Sequence, residues 1–194
     1  MNKIEKDCCT LSAVAYTDMP FTETFTFLRR VDVGSDVIYA WRKENKLYLA
    51  IRGTDELRDW MSNIFVKKCI WDKEIKIHSG FFIAFTRMSG ELSHLIHYYG
   101  DVDQIYCTGH SRGGALAEIA ALFFFKNNVK SITFGAPRIG NKQYLEKIKE
   151  NGNSVSFALK GDIITKLPFL YPKTNSILLK GAKLFSHNMK HYFF

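Results

Sequence analysis

A chain of 194 residues, 46% hydrophobic and 24% charged, has the length of one domain, 1–194, and the composition of an ordinary globular protein. That excludes a disordered chain, which would carry too few apolar side chains, and two folded domains, each of which would be too small. The net charge of +8 favours an acidic partner but does not choose among nucleic acid, an anionic membrane surface and an acidic protein.

Residues 1–16, MNKIEKDCCTLSAVAY, mix acids, bases and cysteines where a secretory signal needs an unbroken apolar stretch, so export by that route is not expected. Ile4, Cys8, Leu11, Ala15 and Met19 recur at helical spacing, which predicts a first helix over residues 3–18, ending near Pro20. Residues 36–42 and 46–51 read as two strands around the turn-like Lys43-Glu44-Asn45, with a hairpin as the simplest arrangement. Leu57, Trp60, Met61, Ile64 and Phe65 form one apolar stripe, predicting a short amphipathic helix. A longer helix follows His78-Ser79-Gly80 and carries Phe81 through Tyr99.

Gln104–Thr108 is an apolar run of strand length, followed at once by glycines and the helix-forming stretch 115–125. Glu118 interrupts that stretch, which is shorter than the roughly 18 to 20 apolar residues of a membrane-spanning helix. Residues 130–134 predict another buried strand, 143–150 a charged surface helix and 154–159 a further strand. This alternation predicts an α/β architecture with a mostly parallel central sheet flanked by helices on both faces. Cys8 and Cys9 are adjacent, Cys69 stands alone, Cys107 lies in a strand, and no zinc-like spacing occurs. Reduced thiols and a cytoplasmic location, with membrane association left open, are therefore expected. After Asp162 the chain has no acid, while Lys166, Lys173, Lys180, Lys183 and Lys190 follow among Phe, Tyr and Leu. A basic aromatic face and a solvated surface over core aromatics are two equal readings of that composition.

Gly109-His110-Ser111-Arg112-Gly113 matches G-x-S-x-G between a strand and a helix, the context in which a serine hydroxyl is lifted onto a sharp turn. The helix that follows aims unpaired N–H groups and a positive dipole end at developing negative charge. A nucleophilic serine needs a base and an acid to orient it, in the chain order nucleophile, acid, histidine. Of the four acids downstream, Glu118 leaves on the nucleophile's helix and Glu146 and Glu150 sit on a lysine-rich helix. Asp162 alone follows a strand directly, in Lys160-Gly161-Asp162. His187 and His191 are the histidines downstream; His187 is preferred because it stands in the loop before a terminal helix, with His191 the alternative. His110 is tied to the turn beside the serine, and His78, His94 and His97 precede it. The oxyanion site needs two donors. The N–H of Arg112 follows from the turn, and Thr54, after the strand ending in Ile51-Arg52-Gly53, offers a backbone N–H and a hydroxyl.

With these residues in place the chain resembles the class 3 lipase family from about residue 36 to the end. The likeness rests on Ile51-Arg52-Gly53-Thr54 with Asp59-Trp60, His78-Ser79-Gly80-Phe81, the Gly109–Gly114 elbow, Gly135-Ala136-Pro137-Arg138-Ile139-Gly140-Asn141, and Gly161-Asp162-Ile163-Ile164 before Leu167-Pro168. The resemblance implies an α/β-hydrolase fold, a Ser111, Asp162, His187 triad, Thr54 and Arg112 at the oxyanion site, and hydrolysis of lipid-like esters. It also implies that residues 55–65 correspond to the segment that serves as a lid in the fungal enzymes; a fixed core helix is the other reading. Arg112 stands where the family usually has an apolar residue, Thr165 where a proline is common, and the interval from acid to histidine is short. Phosphate and solvent are both open as the target of the Arg112 guanidinium.

The expected chemistry needs no metal or organic cofactor. The expected partner is a lipid or ester substrate, with peripheral contact at an anionic membrane surface left open; nucleic acid is not expected, since no motif accompanies the charge. A phospholipase and a catalytically silent binding module are the alternative functions.

Overall fold

The computed structural model describes residues 1–17, 20–53, 68–72, 74–152, 154–174, 176–179 and 187–193, with backbone alone at 68–70. In chain order the elements are α1 (Lys3–Val14), β1 (Thr26–Val33), β2 (Asp36–Lys43), β3 (Lys46–Arg52), β4 (Lys68–Ile70), β5 (Lys76–His78), α2 (Ser79–Tyr99), β6 (Gln104–His110), α3 (Arg112–Phe123), β7 (Val129–Phe134), α4 (Lys142–Asn151), β8 (Ser154–Leu159) and β9 (Ser176–Leu179). Short 3-10 turns occupy Phe125–Asn127, Ile164–Lys166 and Met189–Tyr192.

Seven strands form one sheet in the order β1-β2-β3-β6-β7-β8-β9. The first three are an antiparallel meander, and every pairing from β3 to β9 is parallel. Period-two alternation divides the core cleanly. Ile38, Ala40, Leu47, Leu49 and Ile51 face α2, α3 and α4 on one side, while Val37, Tyr39, Trp41, Tyr48 and Ala50 face α1 and the C-terminal turn on the other. Helices therefore cover both faces, as the alternation of elements requires.

β2 and β3 form the expected hairpin, with Lys43 opposite Lys46 across Glu44-Asn45. The first helix stops at Val14, short of the expected end near Pro20. The N–H groups of Tyr16 and Thr17 bond the Ala13 and Val14 carbonyls, and the Thr17 hydroxyl also donates to Val14, so the last turn is satisfied locally and closes. The apolar segment at 57–65 lies outside the described residues. No described helix is long and apolar enough to cross a membrane. Cys8, Cys9 and Cys107 are free, buried thiols, and burial pushes Cys9 and Cys107 up to about 12.

Glu118 is buried in α3, where it accepts hydrogen bonds from Tyr144 Oη at 3.1 Å and Ser154 Oγ at 3.2 Å. Burial raises its pKa to about 7 against a reference of 4.5, overriding the two donors, which act the other way. A carboxyl raised on folding contributes stability that is complete below pH 4.5 and is lost as pH rises through about 7. Glu118→Gln should therefore gain on wild type by about 3 kcal/mol between pH 4 and pH 8, measured by urea unfolding. An equal difference at both pH values would contradict this protonation behaviour.

Candidate active site

The strand registers bring separate loops together. Ile51 pairs with Gly109, His110 with Phe134, and Phe134 with Phe157, so the carboxyl ends of β3, β6, β7 and β8 deliver Gly53, Ser111, Gly135 and Asp162 to one edge of the sheet. That edge is where open α/β sheets bind ligands.

Ser111 caps α3 with φ 55 and ψ −126, a conformation that an L-residue holds only when its surroundings enforce it. Its N–H donates to the Phe134 carbonyl at 2.9 Å, and its own carbonyl accepts from Ala115 N–H at 3.2 Å. Close approach explains the flanking glycines. A Cβ on Gly109 would lie 2.5 Å from the Gly113 carbonyl carbon and 2.7 Å from Ile51 O, and one on Gly113 would run into the same Ile51 oxygen. The strained turn is thus wedged between β3 and α3 with no room for side chains two residues before and two residues after the serine.

Asp162 is fully buried just beyond β8. Its Oδ1 accepts the Ile164 N–H at 2.9 Å, and its Oδ2 lies 2.7 Å from His187 Nδ1. The His187 ring stacks on His110, the residue before the serine, with centroids 4.5 Å apart. Burial first, and the facing His187 second, hold the His110 pKa well below the usual imidazole value. His110 therefore stays neutral and puts no second positive charge beside the imidazole. Ser111 Oγ and His187 Nε2 are both buried without a hydrogen-bond partner among the described residues. Ser111, Asp162 and His187 are thereby gathered at one place. His191 lies in the terminal 3-10 turn, His78 caps α2 by accepting the Gly80 N–H, and His94 stacks on Tyr98.

A model of the class 3 lipases, described as Lipase (class 3), matches residues 48–171. The chain belongs to the class 3 lipase family. It is 26% identical over 158 residues to a lipase of Rhizopus niveus, covering 72% of this chain and 40% of that protein. It is 28% identical over 176 residues to the chloroplastic phospholipase A1-Igamma1 of Arabidopsis thaliana, covering 69% of this chain and 34% of that protein. The chain thus spans well under half the length of these relatives. The crystal structure of a lipase from Rhizopus microsporus var. chinensis superimposes with a TM-score of 0.79 at 18% identity, over 94% of this chain and 75% of the other, and shares the α/β-hydrolase fold.

Against the class 3 lipase pattern, Arg112 is the departure that the structure accounts for. Its guanidinium Nη1 donates to Asp36 Oδ1 at the start of β2, and both side chains are largely buried. Burial raises the Asp36 carboxyl pKa, and the Arg112 charge opposes that rise. The guanidinium is therefore paired with a carboxylate that lies 76 positions earlier. The Arg112 backbone N–H remains at the start of α3, where an oxyanion donor is needed. Thr54, the second donor expected from the sequence, lies outside the described residues, as does the lid-equivalent segment 55–65; Gly53, just before them, packs against Gly113 and Arg112.

Three residues have contacts that sequence reasoning does not reach, two of them beside the acid, the base and His110 and one that braces α4. Gly135, at φ +59, leaves space for the acid and the base, since a Cβ there would sit 3.1 Å from His187 Cε1 and 3.2 Å from Asp162 Oδ2. Tyr192, fully buried, packs edge-on against His110 and Phe134. Asn141 accepts the Lys76 and Tyr144 N–H groups and donates to the Glu74 carbonyl, tying α4 to β5. The Gly135–Asn141 motif signals such roles, but a linear reading does not say what each residue touches.

Proposed function

We propose that this chain is a serine hydrolase that cleaves carboxylic ester bonds of lipid-like substrates through a Ser111, His187, Asp162 triad. The observation that carries the reading is the 2.7 Å contact between His187 Nδ1 and Asp162 Oδ2, made by an imidazole stacked on the residue before a strained, buried serine.

In the first half-reaction His187 Nε2 takes the Ser111 proton as Oγ attacks the ester carbonyl. The carbonyl electrons move onto oxygen, where the Arg112 N–H, and Thr54 by family resemblance, stabilise the oxyanion. Collapse expels the alcohol, which receives the proton from His187 and leaves Ser111 acylated. Water, deprotonated by the same imidazole, then releases the carboxylic acid. Asp162 fixes the tautomer with hydrogen on Nδ1 and balances the imidazolium charge. No metal or organic cofactor takes part.

Phospholipid esters are a second substrate class, favoured by the similarity to a plant phospholipase A1 and compatible with peripheral contact at an anionic membrane. Turnover of acylglycerols of graded chain length and of phospholipids, with Ser111→Ala as the blank, tests both. Hydrolysis of at least one series, absent from the blank, is expected; no hydrolysis of any ester would overturn the proposal.

A further inference from the structure

A cavity of about 290 Å³ opens beside the acid turn, between the ends of β8 and β9 and the segment that follows Asp162. Arg138, Lys160, Lys166 and Lys173 line it, with the hydroxyl-bearing Thr165 and Ser176. No carboxylate is among its described lining residues, and none of the four cations makes an ion pair with a described carboxylate. Arg138 is fixed in place, its Nη1 donating to the Tyr171 carbonyl at 2.8 Å and its backbone N–H to the Leu167 carbonyl at 2.7 Å. Four positive charges around one concavity repel each other, an arrangement that an oxyanion relieves.

The chain around this cavity exposes large apolar side chains. Phe169 and Leu170, between Lys166 and Lys173, are each 65% exposed, and Leu178, which also lines the cavity, is 70% exposed. A free anion has no use for such a rim, whereas a lipid surface receives it. The volume suits a headgroup rather than an acyl chain. We propose that this cavity binds the phosphate of an anionic phospholipid, docking the apolar rim in the bilayer with the Asp162 turn beside it. The proposal rests on reading the neighbouring site as a lipid esterase, and it adds a lipid contact outside the triad.

The test is sedimentation of Ser111→Ala protein, which cannot consume the lipid, with vesicles of phosphatidylcholine alone or mixed with phosphatidylglycerol. Binding to the mixed vesicles only is expected. The triple variant Lys160→Gln, Lys166→Gln, Lys173→Gln should lose about 10²-fold in affinity, about fivefold for each charge near the surface. The same neutralisation at Lys126, Lys130 and Lys142 should cost far less, with melting curves confirming that both variants fold. Equal binding to neutral vesicles, an equal loss in the control variant, or displacement by inorganic phosphate at concentrations comparable to the lipid would each overturn the proposal. Ester turnover is measured separately on wild type, so failure of vesicle binding and failure of the hydrolase reading are distinguishable.

Discussion

Ser111→Ala should reduce ester turnover to background, a loss of about 10⁵- to 10⁶-fold, with the fold intact. The loss is large because every step of the proposed reaction passes through Oγ, and no other residue of the turn carries a hydroxyl or a thiol. The fold is expected to survive because that oxygen is buried without a partner among the described residues, so removing it breaks no hydrogen bond. Unchanged or raised thermal stability beside lost turnover would separate a chemical role for Ser111 from a structural one. A residual rate within tenfold of wild type would contradict the assignment.

Asp162→Asn should lower kcat by about 10⁴-fold with little change in KM for a soluble ester. The reason is specific to the hydrogen bonds here. Oδ1 of Asp162 already accepts the Ile164 N–H, so the asparagine carbonyl keeps that position and its NH₂ turns towards His187 Nδ1. Nδ1 must then accept, the ring proton moves to Nε2, and the nitrogen needed to take the serine proton is blocked. Turnover and melting temperature of purified Asp162→Asn check this. A modest loss with normal stability would mean that the carboxylate does not govern the imidazole tautomer.

The parts of the fold legible in the sequence are those whose pattern is local. β3, β6, β7 and β8 are buried and read as apolar runs, and the elbow announces itself because only glycine fits at positions 109 and 113. β1 escapes such a reading because it is an edge strand that carries Arg29, Arg30 and Asp32 and contains a bulge between Phe27 and Arg29. β4 and β5 are only three residues each, and β9, at the other edge, has four. In the candidate site, chain order and strand ends point to Ser111 and Asp162 and leave His187 and His191 as the two candidate bases; it is the contact of His187 with Asp162 that favours the first. The Asp36–Arg112 pair and the space left by Gly135 depend on contacts between distant elements, and no spacing rule reaches them.

Activation of Ser111 by His187 can be read from the rate of covalent labelling with a fluorophosphonate, followed by intact mass and mapped by peptide sequencing. One adduct is expected, on Ser111, absent in Ser111→Ala and formed at least about 10³-fold more slowly in His187→Ala. An adduct on another residue, or a labelling rate that does not respond to loss of the imidazole, would contradict it.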